Sequence, residues 1–184
     1  MPDSKFNSSQ IRVTAGKPYP PIEVENPDRR YVAPLLQDLA AKQSEMSAIY
    51  TYLYDSLVLK AKYPDLSEIT LRIAEVEMRH LQILGELITL LGGDPRCMTM
   101  DHGRYFPWNG SMISYQRNVK IMLMQNIKAE QEAANIYTAQ SLRIKDAKIS
   151  AVLARLAEDE LVHHQIFLDY YTYYFKQEKT SPSK

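Results

Sequence analysis

The amino-acid sequence predicts an all-α fold, a four-helix bundle of two antiparallel helical hairpins joined by a long crossover. Three observations lead there. Apolar residues recur at the helical period in four long stretches. Only 6 glycines occur in 184 residues, so few turns interrupt those stretches. The links between them run short, long, short, and a short link makes antiparallel neighbours.

Residues 1–33 carry Pro2, Pro18, Pro20, Pro21 and Pro27 and keep neither a helical nor a strand period. They are expected to form an extended N-terminal arm that packs on the domain or on a neighbouring subunit. The bundle is expected over residues 34–176. Pro34 suits the first turn of a helix, where its missing N–H costs nothing. Helix one then runs to about residue 62, ahead of Tyr63-Pro64. Helix two starts at residue 65 or 66 and stops at Gly92-Gly93, a helix-ending signal. Its Ile69, Ile73, Val76, Leu84 and Leu87 share a stripe. Residues 93–113 hold two prolines, two further glycines and the only tryptophan, with no sustained period. At about 3.3 Å per residue this crossover can run the roughly 40 Å of a helix of 25–30 residues. Helix three, about 114–141, aligns Val119, Leu123, Asn126, Glu130, Ala133 and Tyr137. A break at 143–146 leads to helix four, which ends near 176 and aligns Ile149, Val152, Leu156, Glu160, His163 and Phe167. Residues 177–184 are polar and expected to be a flexible C-terminal tail.

Composition excludes several function classes. Lys+Arg and Asp+Glu are both 22, so zero formal charge gives no electrostatic reason to bind nucleic acid or an anionic membrane. The single cysteine, Cys97, rules out an internal disulfide, a Cys-x-x-Cys redox pair and a multi-cysteine zinc site. No signal-peptide core and no run of 18 apolar residues is present, so a soluble, cytoplasmic protein is expected.

The chemistry lies in a duplicated pattern. Helix two contains Glu77-x-x-His80 and helix four Glu160-x-x-His163, and the i,i+3 spacing puts each pair on one helix face, the apolar one. Helix one carries Glu45 and Tyr52, seven residues apart on the inward stripe, and helix three repeats this with Glu130 and Tyr137. The chain is therefore a twofold repeat of Glu-x6-Tyr followed by Glu-x-x-His. Two of the four histidines having Glu at i−3 by accident has a chance of about 0.03, and the matched upstream pairs lower it by orders of magnitude. Four carboxylates converging in an apolar bundle repel, and each loses several kcal/mol of hydration if unpaired. Two divalent cations would neutralise them, with two neutral imidazoles completing the shells. Oxygen-rich ligand sets with one nitrogen per metal suit iron or manganese better than zinc or copper.

With these residues on it, the four-helix region resembles the ferritin-like di-metal carboxylate superfamily, especially its rubrerythrin-like and manganese-catalase-like branches. The resemblance implies two metal ions per chain, Fe or Mn. It implies Glu45, Glu77, Glu130 and Glu160 as carboxylate ligands and as the catalytic carboxylates, with two of them bridging. His80 and His163 would be terminal ligands, and Tyr52 and Tyr137 would hydrogen-bond the carboxylates. It implies a di-metal oxidoreductase acting on hydrogen peroxide or dioxygen, as peroxidase, catalase or ferroxidase, in a homo-oligomer and with a possible external electron donor. The alternative is an iron-storage or structural, spore-coat-like assembly protein with little turnover. Two departures from rubrerythrins stand out. One cysteine cannot build their rubredoxin-like iron site, and the position of their additional glutamate in the third helix is Ala133. Glu132 lies near but at about 200° from Glu130, facing away.

The remaining features have plainer readings. His164 is turned about 100° from His163 and is expected at the surface or behind the ligands. His102 is a crossover loop residue and Cys97 an ordinary buried or half-exposed thiol. Glu158 and Asp159 are solvated or lie behind the ligands, and Glu75 points elsewhere. The run Tyr170 to Phe175 reads either as an amphipathic helix end or as a subunit interface.

Overall fold

The computed structural model describes residues 7–176; the expected tail at 177–184 lies outside them. The helices are α1 (Val32–Ala40), α2 (Glu45–Leu59), α3 (Pro64–Leu90), α4 (Val119–Arg143) and α5 (Ala147–Phe175). The fold is a ferritin-like four-helix bundle, with α2–α3 and α4–α5 the two tightly packed hairpins. Among the described residues no helix is long and apolar enough to cross a membrane.

Expected helix one is broken in two. Residues 41–44 leave the helix, with Ala41 and Ser44 in extended conformation. Serine hydroxyls decide this, because they offer the backbone partners that helix continuation would otherwise supply. Both Ser44 Oγ (2.6 Å) and Ser47 Oγ (2.8 Å) donate to the Ala41 carbonyl, and Ser44 Oγ caps the Ser47 N–H. The crossover secures the break through Trp108 Nε1, which donates to Ser47 Oγ at 3.0 Å. As a result Glu45 is the first residue of α2, where a helix N-terminus favours negative charge.

The other boundaries follow local chemistry. Pro64 opens α3, and Asn118 caps α4 by accepting from the Ile121 N–H, so this helix begins later than its sequence suggests. Asp146 caps α5 by accepting from two backbone N–H groups. The crossover contains an antiparallel hairpin, β1 (Met98–Asp101) and β2 (Arg104–Pro107), in register Met98 opposite Pro107. Its tight turn uses positive φ at His102 (47°) and Gly103 (74°), as mirror-image hairpin turns require. At the start of the crossover, a Cβ on Gly93 would come within 2.7 Å of Val32 and 2.8 Å of Ile88, so only glycine lets the chain turn there.

Two apolar clusters fill the bundle. One joins α1 to the C-terminal half of α3 and the N-terminal half of α5, through residues such as Leu36, Leu84 and Leu156. The other joins α2 and the opposite ends of α3, α4 and α5, through Leu59, Ile69, Leu123 and Phe167. The carboxylates and histidines form a polar layer between them. Residues 1–6 of the expected arm lie outside the described residues, and the described part, residues 7–31, runs along α3 and α5 of its own chain. Arg72 on α3 donates to the Ser8 and Ile11 carbonyls, and Arg155 on α5 donates to the Lys17 and Ala15 carbonyls.

Candidate metal centre

Glu77 and His80 from α3 and Glu160 and His163 from α5 meet between the hairpins, with Glu45 from α2 and Glu130 from α4 beside them. All six side chains are buried. His80 Nδ1 lies 2.9 Å from Glu77 Oε2, 3.0 Å from Glu160 Oε1 and 3.7 Å from Glu45 Oε1. His163 Nδ1 lies 2.9 Å from Glu77 Oε1, 3.4 Å from Glu160 Oε2 and 3.6 Å from Glu130 Oε2. Each of Glu77 and Glu160 thus turns one oxygen toward each histidine.

Two sets of four ligand atoms result, each within 4.8 Å: Glu45, Glu77, His80 and Glu160, and Glu77, Glu130, Glu160 and His163. They share Glu77 and Glu160, so the cluster can hold two metal ions. The donor atoms themselves support that fit. Both oxygens of Glu77, Oε1 of Glu160 and Nδ1 of both histidines are buried, make no aligned hydrogen bond and meet only one another. Buried polar atoms are normally satisfied, and five such atoms converging on one spot is what a cation pair would resolve.

Electrostatics divides the carboxylates. Burial, then repulsion from Glu77 and Glu160, holds the Glu45 carboxyl well above the ordinary range. Burial pushes Glu130 up to about 7, although His163 opposes the shift. Burial also acts on Glu77 and Glu160, but the histidines outweigh it and both end below their usual values. For His80 burial disfavours the charge, yet Glu160, Asp159 and Glu77 raise the pKa well above the ordinary value. Glu77 and Glu130 do the same for His163.

The tyrosines brace the site across the hairpins. Tyr52 on α2 donates to Glu130 on α4, and Tyr137 on α4 donates to Glu45 on α2. A cleft of about 180 Å³ between α2 and α4 reaches Glu45, Glu77, Glu130 and Glu160 past the small side chains of Ala48, Ala129 and Ala133. Asp38 and Asp55 also line it. Each accepts one bond, from Gln140 and Asn126 respectively, and burial raises each carboxyl to about 7.

Behind the site stands Asp159, in one of its two expected places, together with arm residues that escape sequence reasoning. His80 Nε2 lies 3.1 Å from Asp159 Oδ2, which also accepts from Tyr19 OH at 2.5 Å. Asp159 Oδ1 accepts from the Ala15 N–H at 2.5 Å and pairs with Arg155 at 2.7 Å. Burial pushes the Tyr19 hydroxyl up to about 12. His163 Nε2 lies 2.9 Å from the Val13 carbonyl. The unused signal is an arginine five residues ahead of each Glu-x-x-His, Arg72 and Arg155. Tyr19 and Val13 sit in a proline-rich arm with no period to place them.

The other candidates fall away from the centre. His164 Nδ1 lies 3.0 Å from the Ile127 carbonyl, Cys97 and Glu75 are exposed, and Glu132 accepts from Gln43 at the surface. Glu158 pairs with Lys17 in solvent, whereas Asp159 is fully buried.

Comparison with known proteins agrees with this architecture. A family model described as Rubrerythrin matches residues 121–184, and one described as Ferritin-like matches residues 39–131, half of the chain. A probable manganese catalase of Clostridium acetobutylicum is 23% identical over 164 residues, 79% of this chain and 72% of that protein. The crystal structure of a manganese catalase from Anabaena PCC7120 superposes with a TM-score of 0.76 at 19% identity, covering 92% of this chain and 84% of the other. Desulfovibrio desulfuricans bacterioferritin superposes with a TM-score of 0.64 at 21% identity, covering 83% and 84%. Hairpins, crossover and sequence match agree, and the chain belongs to the ferritin-like family.

Proposed function

We propose that this chain is a di-metal oxidoreductase that binds two iron or manganese ions and acts on hydrogen peroxide or dioxygen, with peroxide disproportionation its leading activity. The observation that carries the reading is the pair of overlapping ligand sets sharing Glu77 and Glu160, with buried donor atoms turned toward one another. The likeness to manganese catalases in sequence and fold adds support. Ala133 and the single cysteine favour a reaction that needs no built-in electron delivery; a peroxidase reaction would take its electrons from an external donor.

In this reading Glu45, Glu77, Glu130, Glu160, His80 and His163 are the ligands, with Glu77 and Glu160 bridging. Bound ions would supply electrons by cycling between adjacent oxidation states. The chain's own groups do the rest. The α2–α4 cleft admits a small oxygen substrate, and its apolar walls limit bulk water. Tyr52 and Tyr137 keep their protons and fix the carboxylates that face the cleft.

We further propose residues 34–176 as the metal-binding bundle and residues 1–33 as its arm, in a cytoplasmic homo-oligomer. Exposed Tyr50, Leu53 and Leu57, at helical spacing on the outer face of α2, are the surface for that assembly. The test is to identify the metals in native protein, then add peroxide while following oxygen. Two ions per chain with oxygen release is the expected result. Peroxide loss without oxygen would mean a donor-dependent peroxidase. Full loading with no turnover on peroxide, or on ferrous iron and oxygen, would favour storage or structural assembly.

A further inference from the structure

The arm treats the two histidines differently. The repeat places α3 and α5 in register, so that Arg72 matches Arg155, Glu77 matches Glu160 and His80 matches His163. Both arginines hold arm carbonyls. Two positions differ in character: α5 has Asp159 ahead of its glutamate where α3 has Val76, and Val162 ahead of its histidine where α3 has Arg79. Asp159 serves the histidine of the other helix, with Oδ2 3.1 Å from His80 Nε2. The Ala15 N–H, the Tyr19 hydroxyl and Arg155 occupy the rest of that carboxylate. Among the described residues none supplies such an anion behind His163. Its Nε2 meets the Val13 carbonyl at 2.9 Å, and a carbonyl can only accept, so Nε2 carries the proton and Nδ1 faces the carboxylates.

We propose that the arm makes the two halves of the centre unequal, with the ion beside His80 held tightly and the ion beside His163 exchangeable. This rests on the two-ion reading above. A carboxylate behind an imidazole is a charge-assisted acceptor, roughly twice as strong as a neutral one. It raises the electron density at the ligating nitrogen, and losing such a partner typically costs about 10–100-fold in metal affinity. The positive charge of Arg155 sits on Oδ1, away from the oxygen that faces His80. Tyr19 is a positioning residue: it aims Asp159, and Arg155 packs over its ring at 4.4 Å. The Val13 carbonyl supplies only a dipole, on a backbone segment that must itself stay docked.

The experiment uses full-length chain loaded with Mn(II) and follows release to an excess of chelator. The wild-type chain should release its two ions in two phases at least about tenfold apart. Asp159→Asn should speed the slow phase by about 10–100-fold and leave the fast phase unchanged. Tyr19→Phe should act on the same phase, more weakly. Single-site chains assign the phases: His163→Gln should retain a slow ion and His80→Gln a fast one. A single phase in the wild type, equal acceleration of both phases by Asp159→Asn, or the reverse assignment would overturn the inference. Two ions released together would leave the two-ion reading standing, whereas a folded chain that loads none overturns both.

Discussion

Tyr52 and Glu130 stand on different hairpins, and the tyrosine hydroxyl donates to the carboxylate across the bundle; Tyr137 and Glu45 repeat the contact in reverse. Burial, and then the nearby carboxylates, hold both phenols well above their usual pKa, so both remain donors at any working pH. Tyr52→Phe or Tyr137→Phe should therefore leave the helical content unchanged and lower metal affinity by about 10–100-fold. Competition with a chromophoric chelator measures this. Wild-type affinity in both variants would show that the carboxylates are fixed without the tyrosines.

Glu77 and Glu160 belong to both ligand sets, Glu45 and Glu130 to one each. Glu77→Gln and Glu160→Gln should each bring the metal content below one ion per chain. Glu45→Gln and Glu130→Gln should leave close to one. Elemental analysis of folded, desalted protein separates these outcomes, and equal loss in all four variants would refute the shared role.

Proton balance gives a third expectation. With Glu45 and Glu130 raised, Glu77 and Glu160 lowered and both imidazoles raised, the cluster on its own holds protons on two carboxyls and two histidines. Two divalent ions would displace about four protons and leave the site's charge unchanged. Metal affinity should rise with pH and weaken as pH falls through about 7, where Glu130 takes up its proton. Calorimetry in buffers of different ionisation enthalpy counts the protons. Release of one or none would contradict this balance.

Asp38 and Asp55 predict a pH effect on stability that is separate from metal. Both are raised to about 7 by burial, and each has one unpartnered oxygen. Between the unfolded value near 4 and 7, the unfolded chain has lost a proton that the folded chain keeps. Stability therefore falls as pH rises through that window, by at most about 4 kcal/mol per group. Urea unfolding at pH 5 and pH 8 should show the loss, and Asp55→Asn should reduce it. An unchanged difference between the two pH values in Asp55→Asn would assign the effect elsewhere.

The apolar stripes of α3 and α5 were legible because long buried helices must repeat at their own period. The candidate centre was legible because Glu-x-x-His occurs twice, each time behind a Glu-x6-Tyr. The break at 41–44 was not. No proline or glycine falls between residues 35 and 62 to mark it, and the decision lies with the Ser44 and Ser47 hydroxyls and the distant Trp108. Nor was the arm's partner legible, since Val13, Ala15 and Tyr19 act through a carbonyl, an amide and one hydroxyl that carry no sequence pattern.

The sharing of Glu77 and Glu160 also bears on ancestry. Each hairpin brings two carboxylates and one histidine, and each ligand set takes three of its members from one hairpin and one from the other. A half-length ancestor would have needed only to pair with its own copy to own both sets complete. Fusing two copies through the crossover removes the requirement for identity between them. Asp159 stands opposite Val76, a difference between the hairpins that two identical copies could not carry.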